Sequence, residues 1–255
     1  MYSDFNTYAN LFLQIPDGKT KYDRLINVVK WYLSAFKSRL TAKKPYNPVL
    51  GEIFQCLFTD TTADQQEQQQ QIIDDCRPLP WAGNNNNDVI FFAEQVSHHP
   101  PVSAFYVENI KKKIQINGYG KTRSKFLGLS VGVETLGNGL ITLIDLNEQY
   151  KFTYPNACVK SILTEPQIEM TGLITIKCEQ TGYSADINFL LKPFYGGKKH
   201  QIQGNIYGPN RILLNTIEGD WTNSIYIKSL NDFKNQVLLD TNSLVKFKVS
   251  WNIFL

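Results

Sequence analysis

Apolar residues recur at helical spacing through residues 21–40, where Leu25, Val29, Leu33 and Phe36 mark one stripe and Ile26, Trp31 and Leu40 flank it. That spacing predicts one amphipathic helix with a charged back. Beyond Lys44 the period changes to two. Ile114-Gln115-Ile116, Ile168-Glu169-Met170 and Ile174-Thr175-Ile176 alternate, as do residues 183–189 and 202–207, and Gly-rich or Asn-rich turns separate them. Alternation of this kind predicts strands with one buried face. No helical pattern lies between the strands to carry a parallel crossover, so the chain reads as mainly β, an antiparallel meander behind a helical preface. The pattern leaves open whether the meander closes into a barrel or folds into a sandwich. Val245, Phe247, Val249, Trp251, Ile253 and Phe254 in the tail are a candidate last strand, and an aggregation liability where exposed.

Residues 59–87 break the pattern. Asp64-Gln65-Gln66-Glu67, the glutamines of 68–71 and the asparagines of 84–87 have no apolar periodicity, so this segment reads as a low-complexity Gln/Asn-rich surface insertion between two strands. Its acidic residues Asp60, Asp64, Glu67, Asp74 and Asp75 make the remainder more basic than the whole. Composition supports a large core: 255 residues with 42% hydrophobic and 13% aromatic against 19% charged exclude a disordered chain and fit one domain. Lys and Arg number 26 against 23 Asp and Glu, a net charge of +3, far from the basic stripe of a duplex-DNA binder. No nucleic-acid partner is expected. The start Met1-Tyr2-Ser3-Asp4-Phe5-Asn6 lacks the features of a secretory signal, and no apolar run approaches a membrane span. The four cysteines, Cys56, Cys76, Cys158 and Cys178, are widely spaced and read as reduced thiols of a cytosolic protein, with no metal or other cofactor implied.

Two stretches carry candidate chemistry. In Glu94-Gln95-Val96-Ser97-His98-His99-Pro100-Pro101, adjacent strand residues face opposite ways, so His98 and His99 share a site only where the strand ends. The prolines predict that ending, since neither donates a ladder hydrogen bond and each restricts the residue before it. By themselves the two imidazoles read as a strand end facing solvent rather than as a site, and neither H-x-x-x-H nor H-x-E…C-x-x-C spacing marks a metal site. In Lys43-Lys44-Pro45-Tyr46-Asn47-Pro48-Val49-Leu50-Gly51-Glu52, the prolines hold Lys44 and Asn47 in extended backbone. An ammonium and an amide displayed from a stiff loop suit an anionic or hydroxyl-rich headgroup.

These stretches resemble the K-P-x-N-P-x-L-G-E element and the E-Q-V-S-H-H-P-P fingerprint of the oxysterol-binding-protein-related lipid-binding domain. Lys125-Phe126-Leu127-Gly128-Leu129-Ser130, residues 150–155 and Gly219-Asp220-Trp221 resemble further elements in the same order, so the motifs delimit a similarity over residues 24–240. The resemblance implies a large, partly closed antiparallel barrel around an apolar tunnel for one lipid, a sterol or phosphatidylinositol 4-phosphate. It makes residues 1–255 a single, incomplete lipid-binding domain. It also implies that Lys44, Asn47, His98 and His99 bind the inositol phosphates at the tunnel mouth. The chemistry is consistent, because a phosphate monoester with a second pKa near 6 and an imidazole near 6.5 reinforce each other's charged forms.

The resemblance thus sets the expectation of a cytosolic monomer, peripherally associated with anionic membranes, that moves a lipid between them without breaking a bond. Lys111-Lys112-Lys113, Lys121, Arg123, Lys125 and Lys198-Lys199-His200 are its candidate membrane-facing clusters. In the family a lid precedes the helix, and a downstream helix supplies a Lys, a Glu and an Arg. Here about twenty residues precede Lys21 without resembling the lid, the chain stops at Leu255, and the tail resembles no family element. A truncated regulatory or membrane-interaction module of the same fold is therefore the alternative. An enzyme built on Glu94, His98 and His99 has no supporting motif.

Overall fold

The structure, a computed structural model, describes residues 2–39, 48–59, 87–128, 130–161, 167–192, 196–230 and 234–254. Lys44, Asn47, Cys76 and nearly all of the 59–87 insertion lie outside them. Two short helical turns, a 3-10 turn at Tyr2–Asn6 and α1 (Ala9–Leu13), precede α2 (Lys21–Ser34), which runs on as a 3-10 turn over Ala35–Arg39. Fourteen strands follow among the described residues: β1 (Ile53–Thr59), β2 (Val89–Ser97), β3 (Val102–Asn109), β4 (Ile114–Phe126), β5 (Ser130–Leu143), β6 (Glu148–Thr153), β7 (Asn156–Lys160), β8 (Gln167–Cys178), β9 (Ser184–Leu190), β10 (Gln201–Tyr207), β11 (Leu213–Asp220), β12 (Ser224–Ser229), β13 (Asn235–Asp240) and β14 (Lys248–Phe254).

All belong to one antiparallel sheet, in the order β13-β12-β11-β10-β9-β8-β6-β5-β4-β3-β2-β1-β14. Each strand pairs with its sequence neighbour, with two exceptions. β6 and β7 occupy one lane between β5 and β8, broken at Tyr154 and Pro155, because a proline has no N–H to give a central ladder. The tail forms the expected last strand, β14, laid antiparallel on β1 from Ile53↔Phe254 to Thr59↔Lys248. The sheet curls into a partly closed barrel, with β13 and β14 as its edges. The low-complexity segment joins β1 to β2, whose ends meet at Phe58↔Val89.

The sequence signals split β8 in two, at Ile168–Met170 and Ile174–Ile176, yet it is one strand with Gly172 at φ +97° between them. α2 departs further from expectation. Its first half is amphipathic, but Trp31, Tyr32, Leu33, Ser34, Ala35 and Phe36 are all fully buried. A helix apolar all round lies inside a structure rather than on it. Its start is fixed by a capping box, in which the Asp23 N–H donates to the Thr20 hydroxyl and the Thr20 N–H to the Asp23 carboxylate. Arg24 then donates to Glu148 at the start of β6 through Nε at 2.7 Å and Nη2 at 2.5 Å. At the other end, Phe36 meets Phe189 at 4.8 Å and Trp221 at 6.4 Å between ring centroids, and the Lys37 ammonium donates to the Thr222 carbonyl.

These anchors run the helix along the inside of the barrel. Glu148 stands at the end formed by the β3–β4 and β5–β6 turns, whereas Trp221 and Thr222 stand at the end formed by the β2–β3, β4–β5 and β11–β12 turns. We call the second end the rim. Between the anchors, Trp31 and Tyr32 pack on Phe152 at 5.6 Å each, with Phe5 and Tyr154 completing an aromatic cluster. Opposite, one row crosses four strands as Phe105↔Gly118↔Gly139↔Phe152, and the two rings lean over the two glycines. A Cβ on either glycine would overlap the ring beside it. The interior beside β6, β9 and β11 is thus occupied by the chain's own helix.

Candidate functional site at the rim

The candidate site begins with an irregularity in β2. Its register against β3 runs regularly to Gln95↔Ser103, then jumps to Ser97↔Val102, leaving Val96 as an extra residue. Such a bulge bends a strand and re-aims the residues after it. Here it turns the chain into the tight His98–Pro101 corner, in which the His99–Pro100 peptide is cis. The expected strand end is present. The two rings stack edge to face, 4.5 Å between centroids at 69°, so both imidazoles stand at one place. His99 is exposed and His98 half-buried.

The second motif meets this corner from 50 residues earlier in the chain. His98 Nδ1 lies 3.2 Å from the Pro48 carbonyl oxygen. A carbonyl oxygen only accepts, so Nδ1 carries the proton and donates. Backbone bonds extend the contact, from Gly51 N–H to the Gln95 carbonyl at 2.8 Å and from Gln95 N–H to the Glu52 carbonyl at 3.0 Å. Residues 48–52 are closed on themselves, since Val49 N–H donates to the Glu52 carboxylate at 3.0 Å and Glu52 N–H to the Val49 carbonyl at 3.0 Å. Gly51 turns the chain at φ +80°, a left-handed conformation that glycine adopts without Cβ strain.

Gln95 braces the corner from beneath. Buried, it donates through Nε2 to the Ser97 carbonyl at 2.7 Å and accepts from the Ser103 hydroxyl at 2.6 Å. Gln95 belongs to the fingerprint but is not among the four expected headgroup residues. A polar side chain inside a predicted strand, ahead of two prolines, is the signal that would have found it.

Of the four predicted headgroup residues, His98 and His99 come together at the rim, and Lys44 and Asn47 lie outside the described residues. The chain enters the corner at Pro48, one residue after Asn47. Beyond the corner, Val102 pairs with Lys121 of β4, and β4 and β5 continue past it as a hairpin. Against that hairpin lies an open cavity of about 580 Å³, lined by Arg123, Lys125 and Glu134 as well as by Leu127, Val133 and Leu191. Among the described residues no group of three or more His, Cys, Asp or Glu side chains is placed to hold a metal, and no helix is long and apolar enough to cross a membrane.

The candidate membrane-facing clusters fare differently. Lys112 is engaged by Asp17 at 2.6 Å and Lys113 by Asp145 at 3.0 Å, at the end away from the rim. Burial pushes the His200 imidazole below the usual histidine range, with Trp221 stacked edge-on at 4.6 Å, which favours its neutral form. Lys121, Arg123 and Lys125 stand at the rim.

Comparison with known proteins places this geometry. The family model described as oxysterol-binding protein matches residues 1–252. That match takes in the first helical turns and nearly all of β14, both of which the motifs alone left outside the similarity. Oxysterol-binding protein-related protein 9 of Homo sapiens is 48% identical over 255 residues, covering 98% of this chain and 34% of the relative. The chain therefore spans about a third of the length of that relative. Among solved structures, the Osh1 ORD domain in complex with ergosterol matches with a TM-score of 0.70 at 26% identity, over 97% of this chain and 51% of that one. The Osh3 ORD of Saccharomyces cerevisiae, in complex with PI(4)P, shares the fold with a TM-score of 0.67 at 20% identity, over 94% of this chain and 56% of that one. With the family model spanning nearly every residue and a relative identical at almost half its positions, the chain belongs to the oxysterol-binding protein family.

Proposed function

We propose that this chain is a lipid-binding and lipid-transfer module that takes one lipid, a sterol or phosphatidylinositol 4-phosphate, from a membrane and exchanges it between membranes. The observation that carries the proposal is the meeting of His98 and His99 with the Pro48–Glu52 turn at the rim of a partly closed barrel. It supports a headgroup site, to which we assign Lys44, Asn47, His98 and His99. With Nδ1 of His98 committed to Pro48, Nε2 is the nitrogen left for a ligand, and it donates to a phosphate oxygen as imidazolium. The sterol half of the reading is supported by the likeness to the Osh1 domain, which was solved with ergosterol.

The energetics favour selection by the headgroup. Acyl chains or sterol rings leave one apolar medium for another, so their burial largely cancels in the transfer. Polar contacts at the rim then decide which lipid is held. No bond is made or broken, so the reading assigns no catalytic residue, and the module works as a cytosolic monomer that visits membranes. The test is native mass spectrometry of the purified chain after incubation with vesicles containing phosphatidylinositol 4-phosphate and sterol. One bound lipid is expected. The His98→Ala, His99→Ala double variant should lose the phosphorylated lipid while keeping sterol. No lipid on the wild-type chain, or equal loss of both ligands from a variant that still melts cooperatively, would overturn the assignment.

A further inference from the structure

The β4–β5 hairpin projects at the rim with an apolar tip and a basic flank. Phe126 is 67% exposed and Leu127 55% exposed, unusual for large apolar side chains at the end of a well-ordered ladder. The turn is closed by the Leu127 N–H donating to the Ser130 carbonyl at 2.8 Å, and Gly128 sits at φ +84° with open space around it. Strand alternation puts Lys121, Arg123 and Lys125 together on one face of β4. The same face of β5 carries Leu136, Glu134 and Gly132 opposite them, so three cations stand against one acid. Lys198 and Lys199, in the β9–β10 connection, lie at the same end.

The end away from the rim provides an internal comparison. There Ile110, Ile144 and Leu146 are also exposed, at 49%, 50% and 43%. Lysines flank them too, but Lys112 and Lys113 are held by Asp17 and Asp145. Both ends of the barrel therefore expose apolar side chains, and among the described residues the hairpin sets three cations against one acid, whereas two of the three lysines at the other end are neutralised. An apolar tip with a cationic flank suits an anionic bilayer, where rings and aliphatic groups enter the interface and Lys or Arg side chains reach the headgroups.

We propose that the β4–β5 hairpin docks the domain on an anionic membrane, with Phe126 and Leu127 entering the interfacial layer and Lys121, Arg123 and Lys125 meeting acidic lipids. The proposal deepens the lipid-transfer reading, because it turns the His98–His99 corner and the 580 Å³ cavity against the hairpin toward the bilayer. It does not require that a lipid be extracted. A near-surface cation changes partitioning about five-fold, so removing three should weaken binding by two orders of magnitude or so at low ionic strength.

Co-sedimentation of the full chain tests this, using phosphatidylcholine vesicles with and without about a fifth phosphatidylserine. Wild type should bind the anionic vesicles and release in high salt. Phe126→Ser with Leu127→Ser, and separately Lys121→Gln with Arg123→Gln and Lys125→Gln, should each lose at least about ten-fold in partitioning. Ile110→Ser with Ile144→Ser should bind as wild type. In a direct readout, a tryptophan from Phe126→Trp should be quenched by brominated lipid, and one from Ile144→Trp should not. Uptake of a short-chain, water-soluble phosphatidylinositol 4-phosphate separates the two readings: Phe126→Ser and Lys121→Gln, which lie outside the cavity lining, should keep it, and the His98→Ala, His99→Ala variant should lose it while still binding vesicles. Wild-type vesicle binding that ignores the hairpin substitutions, binding lost through the Ile110 and Ile144 changes instead, or capture of an acidic protein with no vesicle binding would each overturn the proposal.

Discussion

His98 meets a ligand with one nitrogen only, and that nitrogen donates only when the ring is charged. Two residues link folding to pH. Burial works against ionisation of Glu148, but hydrogen bonds from Arg24 and Tyr150 outweigh it and hold the carboxyl below the ordinary glutamate range. The unfolded chain thus takes up this proton first, and the stability contributed by Glu148 is lost as pH falls below about 4.3. His200, pushed down by burial, is neutral in the folded protein where the unfolded chain is charged, so it lowers stability as pH falls below about 6.5. Urea melts across this range should show both declines, His200→Gln removing the upper one. Glu148→Gln removes the lower and strands the Arg24 charge, at a cost of about 3–5 kcal/mol at neutral pH. At this scale the pair of histidines was legible in eight consecutive residues. The brace by Gln95 was not, because strict alternation hides the extra residue at Val96 that puts the corner where it is.

The helix shows where periodicity stops being informative. Leu25, Val28 and Val29 make a proper stripe, but a residue such as Ser34, fully buried and donating its hydroxyl to the Trp31 carbonyl at 2.7 Å, reads as solvent-facing until the surrounding wall is known. Burial on every side is a property of the barrel, and the local pattern has no access to it. Two substitutions separate local from enclosed contributions. Thr20→Ala removes one half of the capping box and should cost about 1 kcal/mol, whereas Trp31→Ala opens a hole among Phe5, Phe12, Tyr32 and Phe152 and should cost about 3–5 kcal/mol by chemical denaturation. Strands were easier to read where one face was wet. The β10 expectation, residues 202–207, nearly coincides with Gln201–Tyr207, while the lane shared by β6 and β7 was hidden by Pro155, which marks a break without saying that the two pieces share neighbours. Gly139→Ala belongs here as well. The row beneath Phe105 and Phe152 has no room for a methyl group, and overpacking of about 1–3 kcal/mol is expected from thermal unfolding.

The molecule as a whole is a sheet that does not quite close. β14 covers the edge of β1 along seven residue pairs, so its removal would bare a row of backbone donors and acceptors. A chain ending at Phe247 should self-associate at concentrations where the 255-residue chain does not, as light scattering would report. The antiparallel order was legible from hairpin-length turns between alternating runs, and the return of the tail to β1 was not, since nothing in Val249, Trp251 or Ile253 names a partner. Placement of α2 inside the barrel has a last consequence, for synthesis. The helix is made before its wall and enclosed last. At about 5–20 residues per second, some 200 residues of wall emerge roughly ten to forty seconds after it leaves the ribosome. Through that interval Trp31, Tyr32 and Phe36 have nothing to pack against, and a nascent-chain chaperone is the natural occupant of a surface that the finished protein never shows.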